Sequence, residues 1–193
     1  MVRRSQLQEA AERLLPLRQG PFDNLCGLYS ILNAIRLAHW PVLELHAHRS
    51  RKLFQFGITT LEREGMLRDV IKQGMNEDAW SWLGDTVISE ASKLMGVPLQ
   101  RVPILKRVHK SDLDGALAII ERHTRKGRPV MTALGGAYDH YTVIVGMADN
   151  RLQLFDSLHY RWIAAASCGL THRQATARHR ICRYSTAVIR KGR

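Results

Sequence analysis

The apolar positions of the first hundred residues recur at helical spacing. Leu25, Leu28, Leu32 and Ile35 lie three, four and three apart and mark one face of a helix, with Asp23 or Asn24 placed to cap it and an end near His39, before Pro41. A second helix is expected over 43–54, and a third from Thr59 or Thr60 through Met66 and Val70 to Gly74. The clearest helical pattern runs from Glu77 to Met95, where Trp80, Leu83, Val87, Ala91 and Leu94 share a face and Gly96 with Pro98 supplies the stop. Trp80 and Trp82 cannot both face one core, so one of them belongs at the surface or in a cleft.

The period then shortens. Residues 97–105 read as a strand, and Ser111 as the cap of a helix through Leu113, Leu117 and Ile120 that ends at Gly127. Strands follow over 129–134, 140–147, 152–156 and 161–165, with a last one around 184–189. Ala148-Asp149-Asn150 is a hairpin turn, and it pairs residues whose numbers sum to about 298 or 299. Helices first and consecutive strands later predict an α+β fold with an antiparallel sheet; a parallel sheet would need helices between the last strands, where there is no room.

The chain has 193 residues, 45% hydrophobic and 24% charged, which excludes disordered, collagen-like and coiled-coil classes and predicts one domain over 1–193. The net charge of +12 is unevenly placed. No acidic residue follows Asp156, whereas Arg161, Arg173, Arg178, Arg180, Arg183, Arg190, Lys191 and Arg193 do, so the segment 157–193 reads as a basic face suited to an acidic partner. Cys26, Cys168 and Cys182 form no CxxC pair, and His39, His46 and His48 have no carboxylate partner at metal-site spacing; neither disulfide, metal nor cofactor is expected. The N-terminus lacks the apolar stretch of a signal peptide, and no window approaches the roughly 18 apolar residues of a membrane span. The expected setting is cytoplasmic, or export through a signal-free system, without a membrane partner. No nucleic-acid motif is present, so nucleic acid is not an expected partner either.

Chemistry enters with Cys26. It falls in the first turn of the predicted helix, just after the turn-forming Gly20-Pro21 and the capping Asp23-Asn24, where a helix N-terminus favours the thiolate, the reactive form. His140 opens an apolar strand directly after a loop made permissive by Gly135 and Gly136, a place where a sheet holds the backbone while the ring stays at the rim. The hairpin register sets His140 opposite 158 or 159 and so brings Asp156 near it, as the carboxylate that fixes a base's tautomer and favours its charged form. His159 is the rival base, although it follows its strand rather than opening one. Gln19, seven residues before Cys26, could turn its side-chain amide toward an oxyanion beside the Cys26 backbone N–H. Cys168 and Cys182 read as plain thiols.

Gln19, then Cys26-Gly27 opening a helix, then His140 opening a strand, then Asp156 on the next strand resembles the papain-like cysteine peptidase superfamily. Within it the layout is similar to bacteriocin-processing peptidase domains and, more loosely, to Josephin-type deubiquitinases. The resemblance implies an N-terminal helical part carrying the nucleophile, packed on a C-terminal antiparallel sheet carrying base and orienter, with substrate in the cleft between. It implies a hydrolase that cleaves a peptide or isopeptide bond through an acyl-enzyme on Cys26, with a protein or peptide substrate, acidic and ubiquitin-like proteins included. The same acyl-thioester would serve a transglutaminase-like, deamidating or acyl-transferring enzyme. A non-catalytic basic binding module is the third reading. The loops 55–60 and 135–139 are expected to shape the cleft.

Overall fold

The computed structural model describes residues 5–41, 47–110, 112–170 and 177–192. Its helices are α1 (Gln6–Arg13), α2 (Cys26–His39), α3 (Ala47–Arg63), α4 (Leu67–Gln73), α5 (Glu77–Met95) and α6 (Leu113–Arg125). Its strands are β1 (Leu99–Pro103), β2 (Val130–Gly136), β3 (His140–Ala148), β4 (Arg151–Phe155), β5 (Trp162–Ala164), β6 (Cys168–Leu170), β7 (His179–Ile181) and β8 (Ala187–Lys191). The fold is α+β, and the main sheet runs β1-β8-β2-β3-β4-β5 with every neighbour antiparallel. β7 joins β2 at Leu134–Gly136, the end nearest His140, and β6 lies parallel to β7.

α2 is central. An amphipathic helix exposes one face, but here Leu28, Ile31, Leu32, Ala34 and Ile35 are all fully buried, because the sheet covers one side while α1, α3 and α5 cover the others. Each such side chain taken out of water contributes about 1.5–3 kcal/mol before the entropy of ordering is subtracted. Ser30 and Asn33, buried polar residues of α2, both find partners. Ser30 Oγ donates to the Gly27 carbonyl and accepts from Trp80 Nε1, while Asn33 accepts from Leu17 N–H at 2.7 Å and donates to the Leu17 carbonyl at 3.2 Å. Arg36 donates to the Leu15 carbonyl, so the segment leading to Gln19 is pinned along α2.

The hairpin register is as the turn implies. Val143 faces Phe155 and Ile144 faces Leu154, then a bulge at Val145 shifts the pairing so that Met147 faces Leu152 and Ala148 faces Arg151. Asp149 and Asn150 both adopt positive φ, the backbone of a tight two-residue turn. α5 has the predicted bounds, with Asn76 capping its start and Gly96 left-handed at its end. Trp80 is fully buried and Trp82 lies 37% exposed, as two tryptophans two positions apart on a helix must divide.

Other expectations need correction. Residues 47–63 form one unbroken helix rather than two, and the stretch 55–60 is helix, not a cleft loop. Within this helix Gly57 serves close packing on α2, since a Cβ there would lie 2.7 Å from Leu28 Cδ1. Residues 43–46 of the expected second helix, and His46 with them, lie outside the described residues. So does Ser111; α6 is capped by Asp112, whose carboxylate accepts from Gly115 N–H. α1, β6 and β7 were not expected, and the last strand spans Ala187–Lys191 rather than 184–189. The basic segment 157–193 is no separate face. It supplies β5 to β8, and β8 is inserted between β1 and β2 with Ala187, Val188 and Ile189 buried, so its cations are distributed around the sheet. Among the described residues no helix is long and apolar enough to cross a membrane.

Candidate active site

Cys26 is the first residue of α2 and is buried, 9% exposed. Neither Asp23 nor Asn24 caps the helix in the expected way. The position before Cys26 is Leu25, which has no side-chain cap; Asp23 instead accepts from Leu25 N–H and from Gly20 N–H, and Asn24 donates to the carbonyls of Ile71 and Lys72. Both side chains therefore brace the loop around the nucleophile. As the helix begins at Cys26, its backbone N–H has no acceptor within the helix. Gly27 is required here by crowding, because a Cβ would lie 2.7 Å from Met75 Cε and 2.9 Å from Trp80 Cδ1.

His140 opens β3 directly after the left-handed Asp139. Before it, Gly136 has φ +88, and a Cβ there would lie 2.5 Å from the Arg178 carbonyl, so only glycine lets the residues leading into β7 approach. His140 Nε2 donates to Asp156 Oδ2 at 2.9 Å, with the two side chains 3% and 0% exposed. The other carboxylate oxygen, Oδ1, accepts from the backbone N–H of Leu158 at 2.7 Å and of Tyr160 at 3.4 Å. Asp156 is thus fixed on both sides. Continuing the hairpin register places His140 opposite Leu158, which makes Asp156 its diagonal neighbour on the same face. His159, the rival base, is exposed in the turn with φ +69 and does not take this carboxylate.

The Cys26 thiol lines the same cavity as His140. Burial on its own would lower the pKa of the ring, but the Asp156 carboxylate bonded to it and the nearby Cys26 sulfur favour the charged ring, outweigh burial and raise it to about 9. The ring is also roofed: Tyr160 meets it edge-on at 5.8 Å, Tyr160 stacks on Tyr138 at 3.9 Å, and Tyr138 leans on His179 at 4.4 Å. On the other face of β3, Tyr141 stacks on Trp80 at 5.1 Å and its hydroxyl donates to the Met75 carbonyl, which ties the start of β3 to the start of α5.

Cys26 and His140 line one cavity of about 300 Å³. Its walls are Gln73 to Glu77, Ala133, Gly135, Asp139 and Tyr141, together with Arg180 to Tyr184 from the basic segment. Of the expected cleft loops, 135–139 contributes. Gln19 is not part of the wall. Its backbone N–H donates to the carbonyl of Ser157, next to Asp156; its Nε2 donates to the Asp23 carbonyl, and its Oε1 is buried without a partner. The structure thus brings Cys26, His140 and Asp156 together and sets Gln19 beside Asp156, closing the loop that precedes Cys26.

Three cleft residues carry no signal of that role in the sequence. Cys182, read as a plain thiol, lines the cavity and donates to Glu77 Oε1 at 2.7 Å; burial, and then the Glu77 carboxylate, raise its pKa. Glu77 itself read only as the start of a helix, and Arg180 only as part of a basic run. Cys168 is buried with its thiol directed to the Ala164 carbonyl, and burial pushes it up to about 11. The chemistry this arrangement supports is nucleophilic: a thiol at a helix start, a base lining the same cavity, and a carboxylate that holds the base. No family model matches the chain, and neither a curated protein nor a solved structure matches it.

Proposed function

We propose that the protein is a cysteine-dependent hydrolase of the papain-like type that cleaves a peptide or isopeptide bond through an acyl-enzyme on Cys26. The observation that carries this reading is one buried imidazole bonded to the Asp156 carboxylate and lining the same open cavity as the Cys26 thiol. His140 takes the thiol proton, and Sγ attacks the substrate carbonyl. The oxyanion that forms is met by the backbone N–H of Cys26 at the helix start. His140 then gives its proton to the leaving amine, leaving a thioester that water hydrolyses with His140 again as base. Asp156 keeps Nε2 protonated and so leaves Nδ1 to exchange the proton with sulfur.

A nucleophile on a helix packed against an antiparallel sheet that carries base and orienter supports the papain-like assignment. The test is intact mass spectrometry after treatment with a thiol-directed peptide electrophile. Wild type is expected to gain one adduct, on Cys26, and Cys26→Ala none. An adduct that persists in Cys26→Ala, or that maps to Cys168 or Cys182, overturns the assignment. With a protein substrate, a cut chain marks hydrolysis, whereas a mass change on an intact chain marks transfer or deamidation by the same thioester.

A further inference from the structure

Four cations lie at the opposite end of β2 from the cleft and take no part in the chemistry above. Lys126 ends α6, Arg128 leads into β2, and Arg190 and Lys191 end β8; with Gln100 of β1 they line a concavity of about 690 Å³ whose larger apolar contributor is Ile189. Among the described residues no carboxylate lines it. Among the described residues none of the four forms an ion pair, although Arg101 and Arg125 elsewhere hold carboxylates at 2.9 and 2.7 Å. The C-terminal end of α6 attracts Lys126 through the helix dipole, but the other three come from strands or a loop and need another explanation.

Two histidines sense the same field. His123 has its pKa lowered by burial and then by Arg128, Arg122, Lys126 and Arg190, and His39 by burial and then by Lys191. Like charges facing one concavity repel one another, and an anion between them removes that repulsion.

We propose that this concavity is a binding site for a compact polyanion of the polyphosphate class, separate from the catalytic cleft. Its lining favours that class. A nucleic acid would find no base-stacking platform, since the exposed aromatic residues Phe22, Trp82, Trp162 and Tyr184 all lie outside it. An acidic peptide would find few apolar anchors, and a folded acidic protein needs a broad surface rather than a recess. Several lysine and arginine donors converging on one recess match several phosphate oxygens close together. Ala38, on its wall, lies twelve residues along α2 from Cys26, or about 18 Å at the helical rise, so the ligand does not fill the cleft.

The test is calorimetric titration of the full chain with sodium tripolyphosphate, inorganic phosphate, an oligoglutamate peptide and a short single-stranded oligonucleotide. Tripolyphosphate is expected to bind at one site at least tenfold more tightly than the other three, more weakly as salt rises, and without slowing the labelling of Cys26. The double variant Lys126→Glu/Lys191→Glu is expected to lose at least tenfold in affinity, and Lys52→Glu/Arg63→Glu, with the same charge change on α3, to keep it. Should a reversal variant fail to fold by circular dichroism, Lys126→Gln/Lys191→Gln takes its place. Equal losses in both double variants, no preference over inorganic phosphate, tighter binding of the peptide or oligonucleotide, or competition with Cys26 labelling each overturns the proposal.

Discussion

His140 Nε2 and Asp156 Oδ2 lie 2.9 Å apart across a hairpin, sixteen residues apart in the chain, with both side chains out of solvent. Oδ1 of the same carboxylate is occupied by two backbone N–H groups, so the carboxylate cannot rotate away without losing them. An imidazole held this way has a fixed orientation at the wall of the cavity that it shares with Cys26.

Asp156→Asn keeps the shape and removes the charge. The rate of Cys26 labelling by a peptide electrophile is expected to fall by roughly 10²- to 10⁴-fold, the usual range for losing a positioned acid–base function, with the unfolding midpoint shifted much less. A loss under threefold would mean that Asp156 does not orient His140.

Activity should fall in alkali. The ring of His140, raised to about 9, carries its proton through neutral pH and loses it as pH passes that value, so the proton for the leaving amine is lost and the rate of peptide hydrolysis should drop through about pH 9. Stability follows the same sign: because the folded-state pKa lies above the ordinary 6.5, the His140 contribution is complete below pH 6.5 and fades between 6.5 and about 9. Urea midpoints of wild type and His140→Ala should therefore converge as pH rises from 6 to 10.

Gly27→Ala tests the packing behind the nucleophile. The added methyl meets Met75 and the buried Trp80 indole at under 3 Å; the methionine end can move, but the indole cannot move without disturbing its stack on Tyr141. Loss of about 1–3 kcal/mol in urea unfolding is expected, together with slower labelling of Cys26. Gly65→Ala is no substitute control, since Gly65 has positive φ.

Glu77→Gln should wake Cys182. Burial raises its pKa most, and the Glu77 carboxylate adds to that; removing the charge lowers the pKa toward its ordinary value and exposes more thiolate. Iodoacetamide modification of Cys182 in a Cys26→Ala background is expected to speed up severalfold at pH 8. Unchanged modification would show that the carboxylate does not control this thiol.

What the sequence determined is local. The 77–95 helix was legible because one apolar face and a terminal glycine lie within nineteen residues, and the turn at Asp149-Asn150 set the register that carries Asp156 to His140. A period of two and a tight turn leave the strands few choices. That 47–63 is one helix was not legible, because Gly57 is placed by the close approach of Leu28 and not by any local spacing. Only the tertiary structure decided that Cys26 meets His140 more than a hundred residues later, that β8 enters the sheet between β1 and β2, and that Glu77, Arg180 and Cys182 share the cleft. The physical reason is range: spacing and turn chemistry act over a few residues, whereas these approaches depend on which faces of α2 and the sheet bury one another, and no short stretch of chain records that choice.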